Sequence, residues 1–146
     1  MKFALLSVLV ALCGAFGAPL ATAQSAAAET SGQPVLVELF ASHNCRACPK
    51  AHRTLKTVSA EDPDVLVITW SVDYWDYLGD ADPMAMKESV ERQHAYVEQF
   101  GLRGPYTPQT VYNGLAQCPG NRPRAVRRKI DKAREASAPG ASITRM

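Results

Sequence analysis

Two cysteines three positions apart, Cys45 and Cys48, stand in the segment His43-Asn44-Cys45-Arg46-Ala47-Cys48-Pro49. At that spacing they can close a small disulfide, and a helix starting at the second favours a thiolate on the first. Disulfide exchange is the leading chemistry. Cys45, nearer the loop and the more exposed, attacks; Cys48, inside the helix start, resolves the mixed disulfide. His43 and Arg46 set protonatable or positive groups beside Cys45 and favour its thiolate, whereas the carboxylates of Glu38, Asp73 and Asp76 push the other way. The same stretch also reads as His43, Cys45, Cys48 and His52 in an H-x-C-x-x-C-x-x-x-H pattern, which could hold Zn or Cu(I) in a metal-binding or metallochaperone protein. A non-catalytic interaction module is the third reading.

The elements that must position these residues follow from the apolar pattern. Residues 34–40 form a near-continuous apolar run, as expected of a strand buried on both faces of a parallel sheet. Glu38 interrupts it, either as a buried proton acceptor or as an edge carboxylate facing water. Residues 48–59 predict a helix whose inner positions are Ala47, Ala51, Leu55 and Val58; Pro49 is tolerated in its first turn, where N–H groups have no intrahelical acceptor. Residues 65–72 predict a second buried strand, β-branched and uncharged. Strand, helix and strand make a parallel crossover unit, with ligands expected at the C-terminal ends of its strands. Asp73-Tyr74-Trp75-Asp76-Tyr77 leaves the second strand at that edge, so Tyr74 and Trp75 are candidates to line a groove, or else cover the sheet end. Residues 85–100 predict a helix with Met86, Val90, Val97 and Phe100 inward, stopped by Gly101, and His94 reads as a packed or surface histidine. A loop with two prolines follows. Asn113-Gly114 between short apolar runs then signals a hairpin, and residues 123–136 predict a basic helix with Ala125, Val126, Ile130 and Ala133 inside.

The ends of the chain set the compartment. Lys2, the apolar run to Phe16 and Ala21-Thr22-Ala23 predict a signal peptide over residues 1–23, too short for an easy bilayer crossing, so no transmembrane anchor is expected after cleavage. Residues 24–33 read as a disordered leader, 34–137 as the folded domain and 138–146 as a loose tail. Cys13 leaves with the signal. Of the remaining cysteines, Cys45 and Cys48 pair and Cys118 is free, or Cys118 pairs transiently with one of them or with another chain. Cys118 itself reads as a partly buried apolar residue of the hairpin. The whole chain carries a formal net charge of only +2, which does not suggest a nucleic-acid partner. From Arg122 onward, however, eight Lys or Arg face two acidic residues, a charged solvent face with weak envelope-surface association as a lesser reading.

Taken together, 34–40 running into Cys45-x-x-Cys48-Pro49, then Val72-Asp73-Tyr74-Trp75-Asp76-Tyr77-Leu78-Gly79, Asp82-Pro83, Arg92-Gln93, Tyr96, Tyr106-Thr107-Pro108-Gln109 and Asn113-Gly114 resemble the secreted family known as domain of unknown function 1223. The resemblance spans about Pro34 to Gly120. It implies an α/β, thioredoxin-like fold in which a mixed sheet of about four strands, a parallel βαβ unit plus a C-terminal antiparallel hairpin, is flanked by helices. It also implies a cis bond between Thr107 and Pro108 opposite the two cysteines. Pro108 would then shape a substrate groove, and Thr107 would offer main-chain hydrogen bonds to a docked strand. Localisation is expected to be periplasmic or secreted, in a Gram-negative bacterium. Exported protein thiols or a redox partner protein are the expected partners, and no cofactor beyond the Cys45–Cys48 disulfide is implied. Members of that family usually continue past the last helix into a β-rich region, which the sequence to Met146 is expected to lack.

Overall fold

The computed structural model describes residues 34–137. The expected signal peptide, leader and tail lie outside the described residues. The elements run β1 (Val35–Ala41), α1 (Cys48–Glu61), β2 (Val65–Ser71), a single 3-10 turn (Asp76–Leu78), α2 (Lys87–Gln99), β3 (Gln109–Tyr112), β4 (Ala116–Pro119) and α3 (Pro123–Ser137). They form one mixed four-stranded sheet in the order β2-β1-β3-β4. β1 pairs parallel with β2, in register from Val35 opposite Val65 to Ala41 opposite Ser71, and the other neighbours are antiparallel. This is the thioredoxin-like arrangement, with the Cys-x-x-Cys pair where the first strand hands over to the first helix.

Side chains alternate across the sheet, so each strand addresses two layers. Val35, Val37, Leu39 and Ala41 of β1 join Leu55 and Val58 of α1 and Val126, Ile130 and Ala133 of α3 in one buried apolar cluster, which also contains Cys45, Cys48 and Cys118. Phe40 and Val111 face the other way and pack with Tyr96, alongside Val90 and Phe100. The close fit of the first layer is visible at Gly120, where a Cβ would stand 2.8 Å from Thr110 Cγ2 and 3.1 Å from Ala51 Cβ. Only a residue without a side chain lets the end of the hairpin approach α1 that closely.

Two expectations need correction. β2 is an edge strand and not one buried on both faces, because α2 engages the central strands and leaves Leu66 (53 % exposed) and Ile68 (44 %) uncovered. An apolar run without charge carries no information about how many neighbours a strand has. In α2 the buried residues are Ser89, Gln93 and Tyr96, while Met86 is 49 % exposed. The inner face is therefore largely polar, which a search for apolar periodicity passes over; hydrogen bonds described below compensate the burial of Gln93 and Tyr96, whereas Ser89 Oγ has no hydrogen-bond partner among the described residues. The hairpin forms as expected, with Asn113 (φ 47°) and Gly114 (φ 69°) in the left-handed region. The Leu115 N–H donates to Tyr112 O across them at 2.9 Å. α1 and α3 end one to two residues later than the sequence pattern suggested.

Candidate functional site

β1 and β2 end side by side, with the Val72 N–H donating to Ala41 O at 2.9 Å. Beyond Ala41 the chain turns sharply: the Cys45 N–H donates to Ser42 O at 3.2 Å and the Cys48 N–H to Cys45 O at 3.0 Å. That geometry brings the two cysteines together as a disulfide, with Cα atoms 5.4 Å apart. Cys48 opens α1, Pro49 sits in the first turn, and Ala47 supplies no side-chain cap. The first-turn N–H groups and the positive end of the helix therefore lie at the sulfurs, a setting that favours a thiolate when the bond is open. Both cysteines are buried, Cys45 at 6 % and Cys48 at 1 %.

The difference between them lies in access. Cys45 lines a cavity of about 480 Å³ together with Asn44, Arg46, Ala47, Trp75, Leu78 and Thr107, and Cys48 does not. Trp75 and Thr107 belong to loops far apart in sequence and are tied by a hydrogen bond from Trp75 Nε1 to Thr107 Oγ1 of 2.7 Å. The Thr107–Pro108 peptide is cis, as the resemblance implied. Pro108 itself is buried, and its carbonyl accepts the Gly120 N–H at 2.9 Å, anchoring this loop to the end of the hairpin. Tyr74 turns away from the cavity: its hydroxyl donates to Gln93 Oε1 at 3.0 Å, and burial pushes its pKa up to about 12.

The charged candidates separate into three places. Arg46 is exposed on the cavity rim, and Asp73 is exposed. Asp76 accepts the Asp82 N–H at 3.2 Å. Glu38 faces the α2 layer, opposite the layer that holds the disulfide, and is only 1 % exposed. Its Oε1 accepts from the Tyr96 hydroxyl at 2.5 Å and from Arg92 Nη2 at 3.0 Å. Its Oε2 accepts from Trp70 Nε1 at 2.8 Å and from Arg92 Nε. Burial acts to raise the Glu38 carboxyl, but these donors outweigh it and hold the pKa below its usual 4.5. The water-facing reading of Glu38 is thus overturned. The carboxylate is buried, ionised and fully engaged. His43 and His52 are both exposed on the surface, and among the described residues no group of three or more His, Cys, Asp or Glu is placed to hold a metal ion. Cys118 is free and buried, its Sγ 3.3 Å from the Tyr112 hydroxyl and 3.6 Å from Thr110 Oγ1.

A family model described as "Protein of unknown function (DUF1223)" matches residues 36–145. The chain belongs to this family. No curated protein matches the chain. Among solved structures, an Agrobacterium tumefaciens protein determined by X-ray crystallography is 39 % identical with a TM-score of 0.62, over 67 % of this chain and 44 % of that one. The chain thus corresponds to less than half the length of that relative. The germline-specific thioredoxin Deadhead from Drosophila melanogaster is 16 % identical, TM-score 0.43, over 71 % of this chain and 85 % of that one. The MTB protein dsbF, in mixed oxidized and reduced forms, is 16 % identical, TM-score 0.44, over 72 % and 84 %.

Several residues at this DUF1223 site carry no role in the sequence pattern alone. Asp82 is buried and receives the His43 N–H on Oδ2 and the Met84 N–H on Oδ1, both at 3.0 Å. Burial acts to raise its pKa, but those N–H groups and the His43 imidazole, 3.4 Å away, hold it below the usual 3.8. The available signal was Asp82-Pro83, since an aspartate that accepts from the N–H two residues on is a recognised turn former. Leu78 had no such signal, and only the fold places it beside Cys45, whereas Asn44 is its neighbour in the chain. Among the described residues no helix is long and apolar enough to cross a membrane.

Proposed function

We propose that the protein is an exported thiol–disulfide oxidoreductase that exchanges a disulfide with protein thiols through Cys45 and Cys48. The observation that carries this reading is the disulfide at the start of α1 with Cys45, and not Cys48, opening into the cavity that Thr107 also lines. In the oxidised state a substrate thiolate attacks Cys45 Sγ. The Cys45–Cys48 bond breaks, its electron pair leaves on Cys48 as a thiolate, and a mixed disulfide forms on Cys45. A second substrate thiolate then attacks the substrate sulfur of that mixed disulfide and expels Cys45 as a thiolate. The substrate has lost two electrons and the pair has gained them; the same steps reversed reduce a substrate disulfide.

The chain supplies the surroundings of this exchange. The uncapped start of α1 and the positive groups of Arg46 and, when protonated, His43 stabilise the Cys45 thiolate. Thr107 offers main-chain groups to a docked extended segment, with Trp75 as the facing wall. The reading of residues 1–23 as a signal peptide supports a reaction in the periplasm or outside the cell, where such disulfides persist. Insulin reduction and dithiol oxidation test the proposal. Turnover by the natural protein, abolished in Cys45→Ser, is the expected result; equal turnover in that variant would refute the assignment.

A further inference from the structure

The segment that follows β2 is pinned to the cysteine loop at three points. The buried Asp82 carboxylate accepts the His43 N–H at 3.0 Å and lies 3.4 Å from His43 Nδ1. Asn44 Nδ2 donates to Asp80 O at 2.8 Å. Gly79 lies so close to Asn44 that a Cβ on it would stand 2.6 Å from Asn44 Oδ1. His43 and Asn44 immediately precede Cys45, so each contact joins the segment to the backbone that carries the attacking sulfur.

What the segment brings with it is apolar. Trp75 and Leu78 form its part of the cavity wall, and Trp75 stacks on Tyr77 at 6.1 Å between ring centroids, tilted by 28°. Tyr77 is 76 % exposed, Leu78 57 % and Met84 71 %; of these three, Leu78 lines the cavity with Cys45, and Tyr77 extends the apolar surface through its stack on Trp75. Asp82 lies between them. Its Oδ1 fixes the Met84 N–H, its own N–H donates to Asp76 Oδ1 at 3.2 Å, and its carbonyl accepts the Ala85 N–H at 3.0 Å. A buried carboxylate that accepts N–H groups from two separate segments fixes their relative position more firmly than apolar contact alone, because hydrogen bonds to a charged acceptor are both short and directional.

We propose that Asp82 is a positioning residue for the Cys45 site, locking the Trp75–Leu78 wall onto His43 and Asn44 so that the cavity is preset for a polypeptide with a bulky apolar side chain next to its cysteine. This rests on the redox reading above. A preset wall matters to a partner that spans the cavity and little to one that reaches only the sulfur, since misplacing a docking surface degrades the orientation of the larger reactant.

The test compares two disulfides in single-turnover reactions of the reduced full-length protein: insulin, as the polypeptide, and bis(2-hydroxyethyl) disulfide, which has no side chains to dock. In each the Cys45 thiolate attacks one sulfur and Cys48 completes release, so the chemistry is shared. In Asp82→Ala the ratio of the insulin rate to the small-disulfide rate falls about tenfold or more. In Asp82→Asn, which keeps one acceptor oxygen but turns an N–H donor toward the other partner, the ratio falls about threefold. Equal losses on both substrates, or no loss on either, would overturn the positioning role. If Asp82→Ala does not fold, Asp82→Asn decides, and a ratio equal to that of the natural protein refutes the proposal. Failure of the natural protein to react with either disulfide would instead count against the redox reading.

Discussion

The two faces of the sheet are built on different principles. Toward α1 and α3 the layer is almost wholly apolar, with Val37, Leu39, Leu55, Val126 and Ile130 around the disulfide. Toward α2 it is a network of directional bonds. Arg92 donates to Glu38 and lies 5.3 Å over the Trp70 ring and 5.5 Å over that of Tyr96. Gln93 Nε2 donates to Tyr106 O and Gln109 Oε1, both at 2.9 Å. The apolar layer packs around the disulfide. The polar layer fixes α2 at one register and, through Gln93 and Tyr74, secures the segment that goes on to form the cavity wall.

The sharpest way to break this contrast is in the apolar layer. Leu39→Ala, at a fully buried position, is expected to cost about 2–5 kcal/mol in denaturant unfolding, since little around it can collapse into the space. Glu38→Gln comes next, at about 2–3 kcal/mol near neutral pH, because a neutral amide leaves Arg92 without its counter-charge and sets donor against donor. Its signature is a pH dependence. Glu38 is held below 4.5 in the folded state, so its contribution is complete above that value and is lost as the pH falls through the lowered folded value. The gap in stability between the natural protein and Glu38→Gln should therefore close on acidification below 4.5; a gap that widens would contradict the assigned charge state. Gly120→Ala is expected to cost about 1–3 kcal/mol by overpacking against Thr110 and Ala51. Ile68→Thr, on the open side of β2, should change stability by no more than about 0.5 kcal/mol. A larger loss there would mean that the edge strand is covered in solution.

The same contrast explains what the sequence allowed to be read. The apolar layer was legible because its logic is periodic: the 34–40 run, Ala51-Leu55-Val58 and Val126-Ile130-Ala133 all announce a buried face at the expected spacing. The cysteine pair and the Thr-Pro loop were legible as motifs. The polar layer was not. Ser89, Gln93 and Tyr96 form the buried face of α2, yet each residue type is common on surfaces, and only partners distant in the chain reveal why Gln93 and Tyr96 are inside. Glu38 was visible as an anomaly in a strand, but its partners Arg92 and Tyr96 are 54 and 58 positions away, beyond any local pattern. The cavity wall failed for a similar reason. Tyr74 and Trp75 are neighbours, and the alternative of groove or cover was resolved differently for each: Trp75 lines the cavity while Tyr74 is drawn to Gln93.

In the proposed exchange Cys45 is the sulfur that meets the substrate. The direct measurement is mass-spectrometric mapping of mixed disulfides captured by Cys48→Ser from a mixture of protein thiols and disulfides. Without the resolving thiol, adducts should accumulate on Cys45 and disappear in the Cys45→Ser, Cys48→Ser double variant. Adducts carried instead by the buried Cys118, or equal capture by the double variant, would contradict this role of Cys45.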